Sequence, residues 1–260
     1  MQFSAVLAII NMLIDLPFLV TANYASLNIK IITMMFFASI IGSLAYLFMA
    51  KSVRHTEISI AAPLLALSPA LTAIIGFILI GEKLTNLQII GMALIVIGSY
   101  MITLKKEDTF MKGITKVFKY KYYRFILFSV ILYSFSSVVD KYLLITHNLE
   151  PTTYVAIMQI FIAIHLFTMI SIFHGGTKDI KEGFKKAKWL ILLVSVFTVG
   201  YRFAQSEAFK LTQTGLVIAM KRVSALFVVL IGGEIFKEKH KLQRIIATII
   251  MITGVILIIL

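Results

Sequence analysis

Residues 67–85 read Leu67-Ser-Pro-Ala-Leu-Thr-Ala-Ile-Ile-Gly76-Phe-Ile-Leu-Ile-Gly-Glu82-Lys83-Leu-Thr85. An apolar run ends here in a Gly-Glu-Lys turn. Thr85-Asn-Leu-Gln88 then carries the Thr-x-x-Gln pattern of a capping box that opens the next apolar run. A shift of 156 residues, the distance from Ser68 to Ser224, lays this stretch on a second copy. Gly76 then falls on Gly232, Glu82-Lys83 on Glu238-Lys239, Ile90 on Ile246 and Gly98 on Gly254. After a two-residue slip the preceding runs also align, pairing Gly42 with Gly200, Ala50 with Ala208 and Thr56 with Thr214. Matched polar and glycine positions carry more weight than matched apolar ones, and small residues suit close helix packing in lipid.

Around this repeat the whole chain is apolar. Its 260 residues are 60% hydrophobic and 14% charged, with mean hydropathy +0.96. A soluble domain of this size needs more polar surface over its core. The apolar residues come in runs of about twenty, the length that crosses hydrocarbon as a helix. These runs predict an all-α integral membrane protein of about nine transmembrane helices, at 4–22, 31–50, 58–81, 87–104, 125–145, 152–173, 189–209, 213–234 and 243–260. Phe3 to Val20 lacks the basic start and small-residue cleavage site of a signal peptide. Pro151 opens the sixth run where its missing N–H costs nothing, and Trp189 and Tyr122-Tyr123 stand at run edges where amphipathic rings favour the interface.

The repeat divides the chain into 1–104, with four helices, and 125–260, with five. They are joined by the basic linker 105–124, whose Phe110, Ile114, Val117 and Phe118 give it an amphipathic pattern suited to a membrane surface. The counterpart of 125–145 falls before Met1, so the first repeat lacks its opening helix; truncation and a natural nine-helix variant both fit. An odd number of spans per repeat inverts one repeat against the other. Loop charges agree: Lys51 and Arg54 face only Lys210 in the equivalent loop, and Lys83 faces Lys237, Lys239, Lys241 and Arg244. The more basic set, with 105–124 and Lys178 to Lys188, reads as cytoplasmic.

The net charge of +13 is thereby ascribed to loops facing anionic lipid and cytoplasm, with no nucleic-acid partner expected. The absence of cysteine excludes disulfides, thiolate metal sites and a thiol nucleophile. No Ser/His/Asp grouping, metal-ligand spacing, P-loop or dinucleotide glycine pattern occurs, so neither an enzyme nor a cofactor is expected.

Ionisable side chains at membrane depth cost about 2.5–3.5 kcal/mol each, so they need a partner or a wet cavity. Lys221 and Arg222 lie mid-run in the eighth span. As helix neighbours they point about 100° apart, so one faces a cavity and one a neighbouring helix. They suit an anion site for a carboxylate or phosphate, or an internal ion pair with Asp140 or Glu207. Asp140 follows Tyr133, Ser134, Ser136 and Ser137 and is a candidate to carry a coupling proton. Arg202, Glu207 and Tyr201 share the seventh span, and Asn11 and Asp15 form an i,i+4 polar face before Pro17, which loosens the first. The candidate substrate-binding set is Lys221, Arg222, Asp140, Arg202, Glu207, Tyr133, Tyr201, Ser137 and Asp15. Gln159 and His165 are read as packed polar residues, Pro63 and Pro69 as kinks, and Glu82 and Glu238 as caps or turn anchors.

The stretch from Leu67 through Gln88, Gly91 and Gly98, with its second copy from Lys221-Arg-Val-Ser224 through Phe236-Lys-Glu238 to Gly254, resembles the end of an EamA repeat of the drug/metabolite transporter superfamily. That resemblance covers nearly the whole chain. It implies ten helices in two inverted five-helix repeats around a central substrate cavity, whereas this chain has nine expected spans. It also implies cytoplasmic termini, which would place 105–124 outside, where the loop charges place it inside. The reading is a secondary transporter in the cell membrane that moves a small metabolite, plausibly anionic, by alternating access, with a proton as candidate coupling ion. The alternatives are a truncated, non-transporting assembly partner and an enzyme acting on lipid phosphates. The enzyme reading requires a wet cluster of His and acids that the sequence does not show.

Overall fold

The computed structural model describes residues 2–53, 55, 64–103, 121–173, 176–187, 189–224 and 241–259. Among them are ten α-helices and one 3-10 turn. The helices are α1 (Gln2–Asp15), α2 (Ile29–Val53), α3 (Ser68–Ile80), α4 (Asn86–Thr103), α5 (Lys121–Thr146), α6 (Pro151–Phe173), α7 (Thr177–Ala187), α8 (Leu190–Leu211), α9 (Thr214–Arg222) and α10 (Lys241–Ile259). All but α7 fall on the expected runs. The linker residues 105–120, Pro63, Thr56, Gly232 and Glu238-Lys239 lie outside the described residues.

Ile29–Ser52, Lys121–Thr146 and Pro151–Ile172 are each long and apolar enough to cross a membrane. Shorter apolar helices cover Phe3–Leu19, Leu64–Ile80, Asn86–Met101 and Ile245–Ile259. The distribution of polarity fits lipid as the solvent. Leu192, Phe197, Phe77 and Ile78 are exposed, while Ser39, Ser43, Ser129 and Ser195 are fully buried. A helix bundle in hydrocarbon turns its hydroxyls inward, away from lipid, and Ser39 returns its hydroxyl to the Phe36 carbonyl of its own helix at 2.7 Å.

Local chemistry sets the helix ends. Pro17 cannot donate to the carbonyl of Leu13, so α1 stops at Asp15 and the chain continues as the 3-10 turn Leu16–Leu19. Leu67 is a turn residue, so the third run is interrupted and α3 starts afresh at Ser68 with Pro69 in its first turn. Gly81 closes α3 at φ +69°, where glycine is unstrained. Both bonds of the capping box form: Thr85 N–H donates to Gln88 Oε1 at 3.0 Å and Gln88 N–H to Thr85 Oγ1 at 3.2 Å. Tyr123, expected at the interface, is instead buried with Leu64, Ile126 and Val130, because Tyr123, Ile126 and Val130 share one face of α5.

Two compact units divide the chain, one of residues 1–50 and 139–211 and the other of 51–138 and 212–260. Each therefore takes helices from both sequence repeats. In the first unit α1 packs along its repeat equivalent α6, with Ala8 against Ala163 and Leu166, and Ala5, Val6 and Ile10 in a cluster with Ile170. The two helices run antiparallel. In the second unit α4 packs along its equivalent α10 in the most extensive helix contact among the described residues. A Cβ built on Gly91 would stand 2.6 Å from the Gly254 carbonyl, and one on Gly254 would stand 2.6 Å from that of Gly91. Gly98 meets Met251 and Ala247, the repeat counterparts of Ile95 and Gly91, while Gly254 meets Ile95. Exchanging the two repeats thus maps this contact set onto itself, as a local two-fold axis across antiparallel helices requires.

Candidate functional site

The polar side chains expected at depth fall into two clusters, one in each unit. In the second unit Arg222, in the last turn of α9, is partly buried and donates from Nε to Ser68 Oγ at 3.2 Å; its Nη2 donates to the same oxygen. Ser68 opens α3, so the guanidinium is seated on a helix N-terminus. The Ser68 carbonyl in turn accepts from Thr72 Oγ1 at 2.8 Å and from Ser134 Oγ of α5 at 3.4 Å. No carboxylate pairs with Arg222 among the described residues. Lys221 is exposed, which places the two neighbouring cations in different surroundings, as their 100° separation demands. Tyr133 is partly buried and Ser137 buried on α5 of the same unit.

In the first unit Asp140 is 5% exposed and accepts from Tyr154 Oη at 2.7 Å, joining α5 to the first turn of α6. Tyr154 is fully enclosed, so Asp140 supplies the partner its hydroxyl needs. Arg202 is half-buried on α8 of the same unit. Asp15 is 1% exposed, yet neither carboxylate oxygen accepts a hydrogen bond. One turn back, buried Asn11 Oδ1 also lacks a donor. Three orphan acceptors thus lie on one face of α1 by their i,i+4 spacing. Glu207 and Tyr201 are exposed on α8. His165 is buried, with Nε2 3.3 Å from the Phe36 carbonyl and its ring edge-on to Phe36 at 4.7 Å, the packed role its sequence suggests.

Sequence reasoning did not assign Ser68 or Tyr154 to a site. Ser68 stood out only as a repeat position, and nothing near Tyr154 in sequence marks it, because its partner is fourteen residues away across a helix hairpin. Glu82 proves to be a turn anchor. Its Oε1 accepts from Thr214 N–H at 2.8 Å and Thr214 Oγ1 at 2.9 Å, capping the start of α9, while Gln213 Nε2 donates to the Lys83 carbonyl at 3.2 Å. Among the described residues no group of His, Cys, Asp and Glu has the arrangement of a metal site.

A solved structure described as the crystal structure of a protein matches with TM-score 0.70 at 12% identity, over 98% of this chain and 85% of that one. The likeness is one of fold. Comparison with curated proteins finds no match. The model of the EamA-like transporter family matches residues 1–104 and 121–260, on both sides of the basic linker. Two copies of the Glu-Lys repeat, equivalent helices packed antiparallel and a family match over nearly every residue lead to one statement: the chain belongs to the EamA-like transporter family, whose members are membrane transporters of small molecules.

Proposed function

We propose that this protein is a secondary transporter that moves a small anionic metabolite by alternating access, with Arg222 holding the substrate's negative charge. The observation that carries this reading is the partly buried guanidinium fixed on Ser68 with no carboxylate partner among the described residues. A cation kept at membrane depth is costly unless compensated, and a carboxylate or phosphate arriving from solution supplies the compensation. Of the two neighbouring cations, Arg222 is better suited than Lys221, because a serine fixes its fork while Lys221 is exposed.

The coupling proton is assigned to Asp15 rather than Asp140. Asp140 already accepts from Tyr154, whereas the Asp15 oxygens and Asn11 Oδ1, one turn apart on α1, are buried acceptors without a donor. One proton on Asp15 converts an acceptor into a donor and gives Asn11 a partner. Within the unit that holds Arg222, Tyr133 and Ser137 of α5 are proposed as lining positions.

A thermal-shift screen of purified protein against metabolite pools identifies the ligand, and reconstituted vesicles then measure its transport. Arg222→Gln should abolish both ligand-induced stabilisation and transport, and Arg222→Lys should retain a small part. Asp15→Asn should lose drive by a pH gradient while still exchanging substrate for substrate. Full transport by Arg222→Gln in a correctly inserted protein would overturn the assignment.

A further inference from the structure

Helix α7 has no place in the nine-span reading, which leaves Lys178 to Lys188 as a basic connection. Its eleven residues, Thr177-Lys-Asp-Ile-Lys-Glu-Gly-Phe-Lys-Lys-Ala187, extend about 16 Å as a helix, roughly half of what a span requires. The chain enters it through a fixed turn. Gly176, at φ +55°, donates its N–H back to the Ile170 carbonyl at 3.4 Å to close α6, and Ile180 N–H donates to the Gly176 carbonyl at 3.2 Å to start α7. At the other end Trp189 accepts the first amides of α8. Helix α7 is therefore held where one apolar helix stops and the next begins, which is the level of the bilayer surface.

Its two faces differ sharply. Ile180 is buried in a cluster with Val6, Ile10, Ile170 and Ile191, which ties α7 to the ends of α1, α6 and α8. At 100° per residue Phe184 lies about 40° from Ile180, just past the edge of that packed face, and it is 42% exposed. Lys178, Lys181 and Lys185 fall within an arc of about 60° that begins beside Phe184, and all three are exposed. Trp189, the chain's single tryptophan, is 68% exposed at the end of the helix. An aromatic edge flanked by a row of ammonium groups is the pattern of a helix lying in the headgroup layer, with rings at the acyl boundary and lysines among phosphates.

We infer that α7 is an interfacial helix that binds anionic phospholipid headgroups through Lys178, Lys181 and Lys185, with Phe184 and Trp189 set into the acyl boundary beside them. Charge complementarity selects the occupant: three exposed lysines on one arc attract an anionic leaflet, and each strengthens the attraction roughly fivefold.

Trp189 reports the contact directly. The full chain is reconstituted in nanodiscs of phosphatidylcholine with a minor fraction of phosphatidylglycerol, with brominated acyl chains on one lipid or the other, and tryptophan quenching is compared. Brominated phosphatidylglycerol should quench more than its mole fraction predicts. The triple variant Lys178→Gln, Lys181→Gln, Lys185→Gln should lose that excess while quenching by brominated phosphatidylcholine persists, which shows the helix still at the membrane. High salt should reduce the excess in the wild type. Equal quenching by both lipids in the wild type, or an excess that survives the triple substitution, overturns the inference. Absence of quenching by either lipid also overturns it, since α7 would then stand in water and its lysines would face a soluble partner.

Discussion

The close backbone approach of Gly91 to Gly254 makes Gly91→Ala a sharp test of how the repeats pair. A methyl at Gly91 would lie 2.6 Å from the Gly254 carbonyl oxygen and 3.1 Å from the Ile258 nitrogen. Ordinary contact begins at 3.4 Å, so α4 and α10 must separate by about 0.8 Å. The obstacle is backbone, which has no rotamer to change. The displacement reaches Met92, Ile95, Ala247 and Met251 in the same core. Overpacking of this kind costs about 1–3 kcal/mol. Alanine also returns about 1 kcal/mol of helix propensity, which would mask part of the effect. Gly200→Ala removes that ambiguity: it has the same propensity gain, and its Cβ meets nothing within 4 Å. The difference between the two variants is therefore the clash alone, about 1–3 kcal/mol. Thermal unfolding of purified protein followed by far-UV circular dichroism should show Gly91→Ala melting below Gly200→Ala by several degrees. Gly254→Ala should match Gly91→Ala, and the double variant should cost less than the sum, because helices already apart leave room for the second methyl. If Gly91→Ala melts with or above Gly200→Ala, or if the double is additive, the antiparallel glycine crossing is refuted.

Three further outcomes follow from the same geometry. Glu82→Ala removes both bonds that cap Thr214 and should destabilise by about 1–2 kcal/mol; a double-mutant cycle with Thr214→Val should show coupling, and its absence would detach Glu82 from α9. Tyr154→Phe leaves the Asp140 carboxylate buried without that donor and should cost about 1–3 kcal/mol, with the loss reduced when Asp140→Asn is present; thermal melts of the three variants check this. Accessibility tags at residues 83 and 239 should report from opposite membrane faces in intact cells. Reports from one face would show that the two repeats run in the same direction and would remove the basis for alternating access.

The sequence alone determined the apolar runs, the repeat, the helix caps and the family. Each of these is written along one dimension: about twenty apolar residues in a row, a Glu-Lys pair recurring 156 positions later, a Thr and a Gln three residues apart. A loosening at Pro17 was legible, because proline lacks its N–H wherever it is placed, although the first span was expected to run on to residue 22 and the helix ends at Asp15. The pairing of side chains between helices was not legible. Asp140 meets Tyr154, Arg222 meets Ser68 and Glu82 meets Thr214 only because of how each helix is rotated about its axis. In a chain apolar all round, hydropathy gives no angle for that rotation, which leaves Lys221 and Arg222 indistinguishable until packing turns one toward Ser68 and the other outward. Helix α7 escaped for the opposite reason. A run too short and too charged for a span reads as a loop, and its fold rests on Ile180 finding a pocket built by three other helices.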